Sequence, residues 1–418
     1  MKRSFKLLLS WVLGLALGAF ALALIALHML RAAPGEWSHP LRLGPWRTEL
    51  SVPALMRVAT HPLALRLLEG RTLNTRFGPL QWRAAQLVCA PCSVPLAGDE
   101  IRLPHVALNV RRGIGDQWRG EFTLGELSQP LRGRWTAQLQ PGGAELNFAL
   151  ADTALADAFA LFADTIPELQ HARIEGRLRL DARLRLPQRQ LTLRPHIEGF
   201  VVAGLGTEAL LNAVPSCSTR PSALKFGTWL PRAVVAAEDQ RFYEHPGYDI
   251  NEMAAAWSGA PQQAERLRGA STITQQLAKL VYTGDSRSPV RKLRELLYAV
   301  EMDRTLGKAR VLNLYLAIAP WGDGHCGAAA AARHHLRKRA DQLTPTEAAW
   351  LASLLRNPDR ELARVAGTGQ VNVERVGWVI HHMRPLPKAR RADLVEALAL
   401  GATSLQETLA VAAMATAR

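Results

Sequence analysis

The sequence predicts a multi-domain membrane protein: an N-terminal transmembrane helix, then a β-rich (α+β) domain, then a mostly α-helical domain. Three observations predict this fold class. Residues 7–30 form a run of 24 positions without a charged side chain. From about 36 to 210, apolar and charged residues alternate in short segments that Gly and Pro separate. From 231 onward, Ala, Leu, Glu and Arg recur at helical spacing.

The run at 7–30 is long enough for a helix to cross the ~30 Å hydrocarbon layer of a membrane. Lys2, Arg3 and Lys6 precede it, so the positive-inside rule leaves the N-terminus in the cytoplasm and sends the chain after Arg31 across the membrane. A cleaved signal peptide is the alternative, but its apolar region is normally about 7 to 15 residues. We therefore expect an uncleaved single-pass anchor, with the rest of the chain periplasmic or extracellular.

The net charge of +15 indicates polyanionic surroundings: anionic lipid headgroups, a pyrophosphate-bearing substrate or nucleic acid. Arg dominates the basic residues, and a GC-rich genome would produce the same bias without any partner. No RNP, zinc-finger or basic-zipper pattern is present. Nucleic acid is therefore not an expected partner.

Four cysteines are too few for a disulfide scaffold. Cys89 and Cys92 stand in CAPC, a spacing that suits a redox centre, a zinc site or a small disulfide. A zinc site needs a second ligand pair, and a thioredoxin-like centre needs a helix at the first Cys. The sequence indicates neither, so a structural disulfide in an oxidising compartment is preferred. Cys217 and Cys326 receive no assignment.

Strand patterning before residue 210 is clearest at 173–186, RIEGRLRLDARLRL, where apolar and charged residues alternate with period two. One helix is predicted near 151–165. We expect a one-sided sheet without a catalytic constellation. Its Arg-rich faces could contact anionic lipid or glycan, but a solvated surface is the preferred interpretation.

The sequence pattern changes near 204–230. A segment rich in small residues there separates the strand-like alternation before it from the continuous helical spacing after it. The predicted organisation is a cytoplasmic stub and anchor, a β-rich domain of unknown role, a catalytic helical domain and a C-terminal helical extension. Their bounds are 1–30, 31–215, 216–362 and 363–418.

The first polar block of the helical domain is AAEDQRFYEHPGYD. Pro231 opens a helix whose apolar run leads to Glu238 and Asp239. A carboxylate at the end of an apolar helix is partly desolvated, which raises its pKa toward that of a general base. Asp239 could instead orient backbone or an arginine. An isolated Glu-Asp pair is otherwise an ordinary surface helix end.

The second block is RGASTITQQLAK, in which Thr272 and Gln275 make a capping box. The helix start, facing the turn at Gly269, is expected to receive anionic oxygens. Gln275 and Lys279 are four residues apart and share a face that could hold a phosphate or a sugar hydroxyl.

The third block, RKLRE, places Arg291 and Lys292 one turn before Glu295, although a surface ion-pair cluster has the same pattern. In the fourth block, KARVLNLYLAIAPWGDGHCGAAAAA, glycines at 322, 324 and 327 predict a tight turn before a closely packed helix. Each block by itself is a weak signal.

Together, over about 130 residues, the four blocks resemble glycosyltransferase family 51, the peptidoglycan glycosyltransferases. The EDxxFxxHxG motif is matched by Glu238, Asp239, Phe242, His245 and Gly247. The highly specific GxSTxTQQxxK motif is matched by Gly269, Ser271, Thr272, Thr274, Gln275, Gln276 and Lys279. RKxxE is matched by Arg291, Lys292 and Glu295. The segment at 343–358 is similar to the one that closes the family's domain, and WGDG before an Ala-rich helix looks closest to the monofunctional biosynthetic transglycosylases.

The resemblance implies a mostly-α, lysozyme-like glycosyltransferase domain that polymerises lipid II with inversion, for cell wall biogenesis and cell shape. Glu238 would be the general base, and Glu295 would hold cations or assist at the donor. Lys279, Arg291 and Lys292 would stabilise the leaving pyrophosphate. The other substrate-binding residues implied are Asp239, Arg241, His245, Ser271, Thr272, Gln275 and Gln276.

The implied location is the bacterial inner membrane, with the catalytic domain in the periplasm. Partners would be lipid II, the nascent glycan strand, the membrane and other cell-wall synthesis proteins. No cofactor is expected to be required. A divalent cation, Mg²⁺ or Mn²⁺, is compatible with the pyrophosphate, although no dedicated ligand set is visible.

Departures from the family fall in the fourth block, where this chain has Asn313, Ala317 and Ala329 in place of Glu, Asn and Glu. We interpret them as divergence in packing. The alternative is a catalytically impaired protein that binds lipid II or a synthase partner. A muramidase-like hydrolase has no pyrophosphate to stabilise, which leaves the cations unexplained. Penicillin-binding activity is set aside, since SALK at 222–225 is followed by no KTG.

Overall fold

The computed structural model describes residues 28–400 except 44–45, 97, 213–227, 258–270, 287 and 369. Most of the predicted membrane anchor, together with Cys217 and Gly269, lies outside the described residues. Among the described residues, no helix combines the length and the apolar character that crossing a membrane requires. The described chain divides into two compact units. The first contains residues up to 94, 102–153 and 179–196, and the second contains 95–101, 154–178 and the chain from 197 onward.

The first unit is built mainly from antiparallel strands, some of which include residues that belong to the second unit. In chain order the strands are β1 (Ser38–Leu43), β2 (Trp46–Ser51), β3 (Thr72–Thr75), β4 (Gly78–Arg83), β5 (Gln86–Cys89), β6 (Cys92–Leu96), β7 (Asp99–Leu103), β8 (Val106–Asn109), β9 (Arg111–Arg112), β10 (Gln117–Leu124), β11 (Leu131–Gln140), β12 (Gly143–Ala154), β13 (Arg173–Leu186) and β14 (Gln190–Ala203). The main sheet has the order β14-β13-β12-β11-β10-β8-β5-β4-β3, with β9 paired to β10, while β1 pairs with β2 and β6 pairs with β7. Two short helices, α1 (Val52–Ala59) and α2 (Pro62–Leu68), follow β2.

Period-two patterning places one face of this sheet in a core. Along β11 buried and exposed residues alternate, and Trp118 and Trp135 pack with Leu139 in the centre of the cluster. The prediction of a strand at 173–186 is confirmed, because β13 spans those residues. Cys89 and Cys92 are joined by a disulfide, and Cys326 of the second unit is also disulfide-bonded.

The helix predicted near 151–165 is shorter in the structure. Strand β12 continues to Ala154, and helix α3 spans Leu155–Ala160 only. Alternation in the sequence AELNFALADTA extends the strand into the region where helical spacing begins. Local sequence therefore supports both structures at 151–154, and pairing within the sheet decides for the strand.

The second unit is mostly helical. After α3 its helices are α4 (Trp229–Glu238), α5 (Ile250–Trp257), α6 (Ile273–Ala278), α7 (Pro289–Ile318), α8 (Ala328–Leu336), α9 (Pro345–Leu354), α10 (Pro358–Thr368), α11 (Val373–His382) and α12 (Lys388–Ala399). Short 3₁₀ turns occur at Pro167–Gln170, Thr207–Leu211 and Ala340–Gln342, and a π turn at Lys279–Thr283 follows α6. Helix α7 is interrupted at Gly307, where φ is +73°.

The largest hydrophobic cluster of the second unit joins helices that are far apart in the sequence. Ala237 of α4, Leu314 of α7, Leu351 of α9 and Val379 of α11 are all fully buried in it. Helix α11 lies beyond the predicted boundary at 362 and contributes Val376, Val379 and Ile380 to this cluster. The core of the helical unit therefore includes residues from the predicted C-terminal extension.

Candidate active site

Glu238 is the last residue of α4, a helix with an apolar buried side. Leu230, Ala233, Val234 and Ala237 of this helix are fully buried, and Glu238 itself is only 7% exposed. The helix ends there because Asp239 leaves helical geometry, with φ −156° and ψ 78°. The apolar helix thus carries its terminal carboxylate into the protein interior.

Three side chains from distant segments surround this carboxylate. Gln276 donates from Nε2 to Glu238 Oε2 at 3.0 Å, and the Tyr315 hydroxyl donates to Gln276 Oε1 at 2.7 Å. Arg375 of α11 lies with Nη2 3.7 Å from Glu238 Oε1 and donates to the Ala237 carbonyl at 3.0 Å. Glu238 is therefore buried and held by a hydrogen bond and a cation.

The protonation of Glu238 follows from these contacts. Burial raises its pKa above the ordinary value, and the hydrogen bond from Gln276 and the charges of Arg375 and Arg356 oppose the rise. A general base must be ionised before the reaction and must bind a proton during it. A carboxylate whose pKa is raised by burial and partly lowered again by its neighbours meets both requirements.

The Asp239 side chain points away from Glu238's partners and contacts His245 and the backbone at the start of α6. Its carboxylate contacts His245 Nε2 at 3.0 Å and accepts from the Ile273 amide at 3.0 Å. Asp239 and His245 are both buried. The pair joins the segment after α4 to the start of α6, in keeping with the backbone-orienting alternative for Asp239.

The capping box at the start of α6 is confirmed. Thr272 Oγ1 accepts from the Gln275 amide at 3.1 Å and donates to the Gly247 carbonyl at 2.7 Å, and Gln275 Oε1 accepts from the Thr272 amide. Gln275 is fully buried, and its Nε2 reaches Met253. The Ile273 amide donates to the Asp239 carboxylate at 3.0 Å, so the helix start does receive an anionic oxygen, and that oxygen comes from the protein itself. Binding of a substrate anion at this helix start stays a prediction.

A second charged cluster forms around Glu295, which is 1% exposed. Lys292 Nζ lies 2.6 Å from Glu295 Oε2 and donates to Ser271 Oγ at 2.6 Å, and the Arg291 guanidinium pairs with the other carboxylate oxygen. Burial and the nearby charges of Arg291 and Lys279 lower the pKa of Lys292 to about 8. Two cations thus share one buried carboxylate.

The segment of α6 links the two clusters. Ser271, just before the helix, contacts Lys292, whereas Gln276 within it contacts Glu238. Only four residues lie between these two positions in the chain. The general-base candidate and the cation cluster are therefore both contacted by one short segment, 271–276, at the start of α6.

The remaining predicted site residues lie nearer the surface. Lys279 Nζ pairs with Asp285 at 2.6 Å, and its side chain is 39% exposed. Arg241 pairs with Asp249 at 2.8 Å, and Asp249 Oδ1 accepts from the Asn251 amide in the first turn of α5. Both cations are anchored by one carboxylate and exposed on the other side.

Sequence reasoning missed Arg375 and Tyr315. A signal for Arg375 exists in α11, where Val376, Val379 and Ile380 define an apolar stripe. Arg375 is four residues before Val379 and therefore falls on the same face. A cation on an apolar helix face indicates a buried acidic partner. Tyr315 carries no such signal, since Leu314 and Leu316 on either side of it in α7 are both apolar.

The first unit contains a separate cavity of about 470 Å³ on the sheet face. Its lining includes Arg134, Arg183, Arg194 and Asp181. Arg183 Nε donates to Asn147 at 3.1 Å and also pairs with Glu145. Such partly exposed pairs fit the solvated surface expected for these strands.

Known proteins are similar to this chain over its helical part. A family model described as "Transglycosylase" matches residues 217–384. Proteins named biosynthetic peptidoglycan transglycosylase are similar to this chain: that of Bordetella pertussis is 44% identical over 159 residues, which cover 37% of this chain and 65% of the relative. That of Citrobacter koseri is 41% identical over 158 residues, covering 38% and 64%. That of Nitrosomonas eutropha is 42% identical over 129 residues, covering 31% and 53%. The chain therefore spans less than two thirds of the length of these relatives.

Proposed function

We propose that the protein is a peptidoglycan glycosyltransferase that polymerises lipid II into glycan strands with inversion. The match of a transglycosylase family model to residues 217–384 and the similarity to biosynthetic peptidoglycan transglycosylases support this proposal. The observation that carries the proposal is the buried Glu238. Burial raises the pKa of its carboxylate, and Gln276 and Arg375 contact that carboxylate. A sugar hydroxyl is a poor nucleophile, and a base of this kind activates it.

In the proposed transfer, the 4-hydroxyl oxygen of an incoming lipid II attacks the reducing-end carbon of the growing, lipid-linked glycan. Glu238 takes the hydroxyl proton. The bond from that carbon to the pyrophosphate oxygen breaks, and its electron pair leaves with the lipid pyrophosphate. Attack from the face opposite the leaving group inverts the donor carbon, as in other single-displacement reactions at a sugar carbon.

The leaving pyrophosphate needs preorganised positive charge. Arg291 and Lys292 provide two cations in a fixed position because both are held by the buried Glu295. A pKa of about 8 allows Lys292 to carry its charge at neutral pH, and an approaching pyrophosphate would raise that pKa. Lys279 and Arg241, each exposed on one side, would contact the phosphates or the sugars.

Ser271 and Gln276 would position these groups through Lys292 and Glu238. Asp239, His245, Thr272 and Gln275 would hold the backbone of the site. No metal ion has a defined place in this scheme, and Mg²⁺ or Mn²⁺ would serve as an optional counterion of the pyrophosphate. Polymerisation in the presence of a chelator is the expected result.

Residues 7–30 would anchor the protein in the bacterial inner membrane, with the N-terminus in the cytoplasm and the catalytic domain in the periplasm. Two observations support this topology: the charge-free run itself, and the Cys89–Cys92 disulfide, since disulfides form in oxidising compartments. The same membrane would hold lipid II and other cell-wall synthesis proteins. Labelling Cys89 and Cys92 in intact cells after mild reduction tests the orientation.

Incubating the purified full-length protein with lipid II, and measuring glycan length on a gel, tests the function. Glu238→Gln should lower the polymerisation rate by ~10²- to 10⁴-fold. Glu244→Gln is the matched control, because Glu244 is an exposed carboxylate in the next turn and should leave the rate unchanged. Near-normal activity of Glu238→Gln would remove the assignment. Lipid II binding by the wild type without any polymer would indicate the impaired binding protein that Asn313, Ala317 and Ala329 suggest.

A further inference from the structure

Asp323, His334 and His335 lie together in the second unit, where the glycine-rich turn meets α8. One possible ligand atom from each of the three lies within 4.8 Å of the other two. The turn is fixed by backbone hydrogen bonds from Trp321 to His325 and from Gly327 to Ala319, both 2.9 Å. Two structured elements therefore bring two imidazoles and one carboxylate to a single point.

The buried His335, which is only 7% exposed, is held in place by a hydrogen bond from its ring. His335 Nε2 lies 3.3 Å from the Trp321 carbonyl, and donation there leaves the lone pair on Nδ1. Metal-bound histidines commonly donate their second ring nitrogen to a carbonyl in this way.

The distance between the His334 and Asp323 side chains also fits an ion bound between them. His334 Nε2 and Asp323 Oδ2 are 3.9 Å apart, too far for a hydrogen bond. Two ligands bound to zinc at about 2.0–2.1 Å and at the tetrahedral angle are roughly 3.4 Å apart, so a small movement suffices. His325 stacks on His334 with ring centroids 3.8 Å apart, which restricts the His334 ring.

We propose that Asp323, His334 and His335 form a binding site for a divalent transition-metal ion of the zinc class. Imidazole nitrogens select such ions over Mg²⁺ and Ca²⁺, which prefer ligand sets made of oxygen. Asp323 and His334 are partly exposed, so an ion can enter and a water molecule can complete the coordination. Cys326 is disulfide-bonded and so does not supply a thiolate.

The charges around the site act in opposite directions. Asp359 accepts from the Asp323 backbone amide at 3.2 Å, which brings a second carboxylate to the glycine-rich turn. Arg337, at the C-terminal end of the helix that carries His334, is positively charged and would oppose cation binding. The bound ion would tie the glycine-rich turn to α8 and stabilise the helical unit, independently of whether the protein transfers sugars.

Titration of the untagged full-length protein in detergent, stripped of metal with a chelator, tests this site. Calorimetry with Zn²⁺ should show one equivalent bound and a rise in Tm, while Mg²⁺ at the same concentration should give neither. Co²⁺ should produce the visible absorption of a four-coordinate site. Asp323→Asn and His334→Gln should each weaken Zn²⁺ binding by about tenfold or more, since the ligand set has only three protein members.

His381→Gln is the matched control. His381 and His382 are also consecutive histidines at the end of a helix, but among the described residues they belong to no cluster with a carboxylate suited to metal binding. This variant should bind Zn²⁺ like the wild type. The buried His335 is left unchanged because its loss could prevent folding, whereas the two partly exposed ligands can be replaced in a folded protein. Absence of stoichiometric binding, or unchanged affinity in both ligand variants, would overturn the proposal.

Discussion

Gln276 donates from Nε2 to Glu238 while its own Oε1 accepts from Tyr315. A tyrosine hydroxyl can donate or accept, whereas an ionised carboxylate can only accept, so the NH₂ group of Gln276 faces Glu238 and its oxygen faces the buried Tyr315 hydroxyl. The hydrogen bond from Tyr315 supports the orientation in which Gln276 stabilises the ionised carboxylate.

Removing the Gln276 donor should shift the acidic limb of polymerisation to higher pH. Gln276→Met keeps the volume but cannot hydrogen-bond the carboxylate, so the pKa of Glu238 rises further and the base is ionised only at higher pH. The limb in kcat/KM should move up by roughly one pH unit, the value of a hydrogen bond to a charged group. Tyr315→Phe should produce a smaller shift in the same direction. An unchanged acidic limb would show that Gln276 does not act on the base.

Glu295→Gln should move the alkaline limb to lower pH. The variant removes the negative charge 2.6 Å from Lys292, so the repulsion from Arg291 acts unopposed and the pKa of Lys292 falls below about 8. Activity that needs the charged Lys292 is then lost earlier as pH rises. Glu295→Asp, which keeps the charge, should leave the limb nearer that of the wild type. A limb that stays in place, or that moves to higher pH, contradicts this coupling.

Gly247 should not tolerate a side chain. Its φ is +82°, and a Cβ there would lie 2.3 Å from the Ala299 carbonyl oxygen and 2.9 Å from Asp303 Cβ. We expect Gly247→Ala to lower the free energy of unfolding by roughly 3 kcal/mol or more. Gly324 is the control, because its φ is also positive, at +70°, but no atom lies within 4 Å of its Cβ position. Gly324→Ala should cost about 1 kcal/mol. Equal losses in urea unfolding would refute the role of the close approach.

Arg375→Met should reduce both stability and activity. The buried guanidinium contacts Glu238 and the Ala237 carbonyl, and its removal leaves that carboxylate without its nearest cation. Breaking a buried ion pair costs about 3–5 kcal/mol, and the pKa of Glu238 should rise further. Arg384→Met, at an exposed position after the same helix, should change stability by no more than about 0.5 kcal/mol. Urea unfolding measures the loss of stability, and the pH profile of polymerisation measures the change in the pKa of Glu238. If Arg375→Met and Arg384→Met behave alike in both, Arg375 does not support Glu238.

Local patterns predicted the elements that depend on local physics. The strand at 173–186 follows from period-two alternation, and the start of α6 follows from the Thr272 and Gln275 capping box. Glu238 could be placed at a buried helix end because the apolar run before it is continuous in the sequence. The pairing of Glu238 with Arg375 could not be predicted, because 136 residues separate the two and no spacing rule extends that far.

The same distinction applies to the polar residues of the second motif. Sequence alone determined that Thr272, Gln275, Gln276 and Lys279 belong to one short helical segment. Capping and helical spacing act over a few residues, so they can be read from the sequence. Tertiary packing decided that Gln275 turns inward, that Gln276 reaches Glu238 and that Lys279 stays near the surface. Which face of a short helix is buried depends on neighbours from remote parts of the chain, and only the folded core brings those neighbours together.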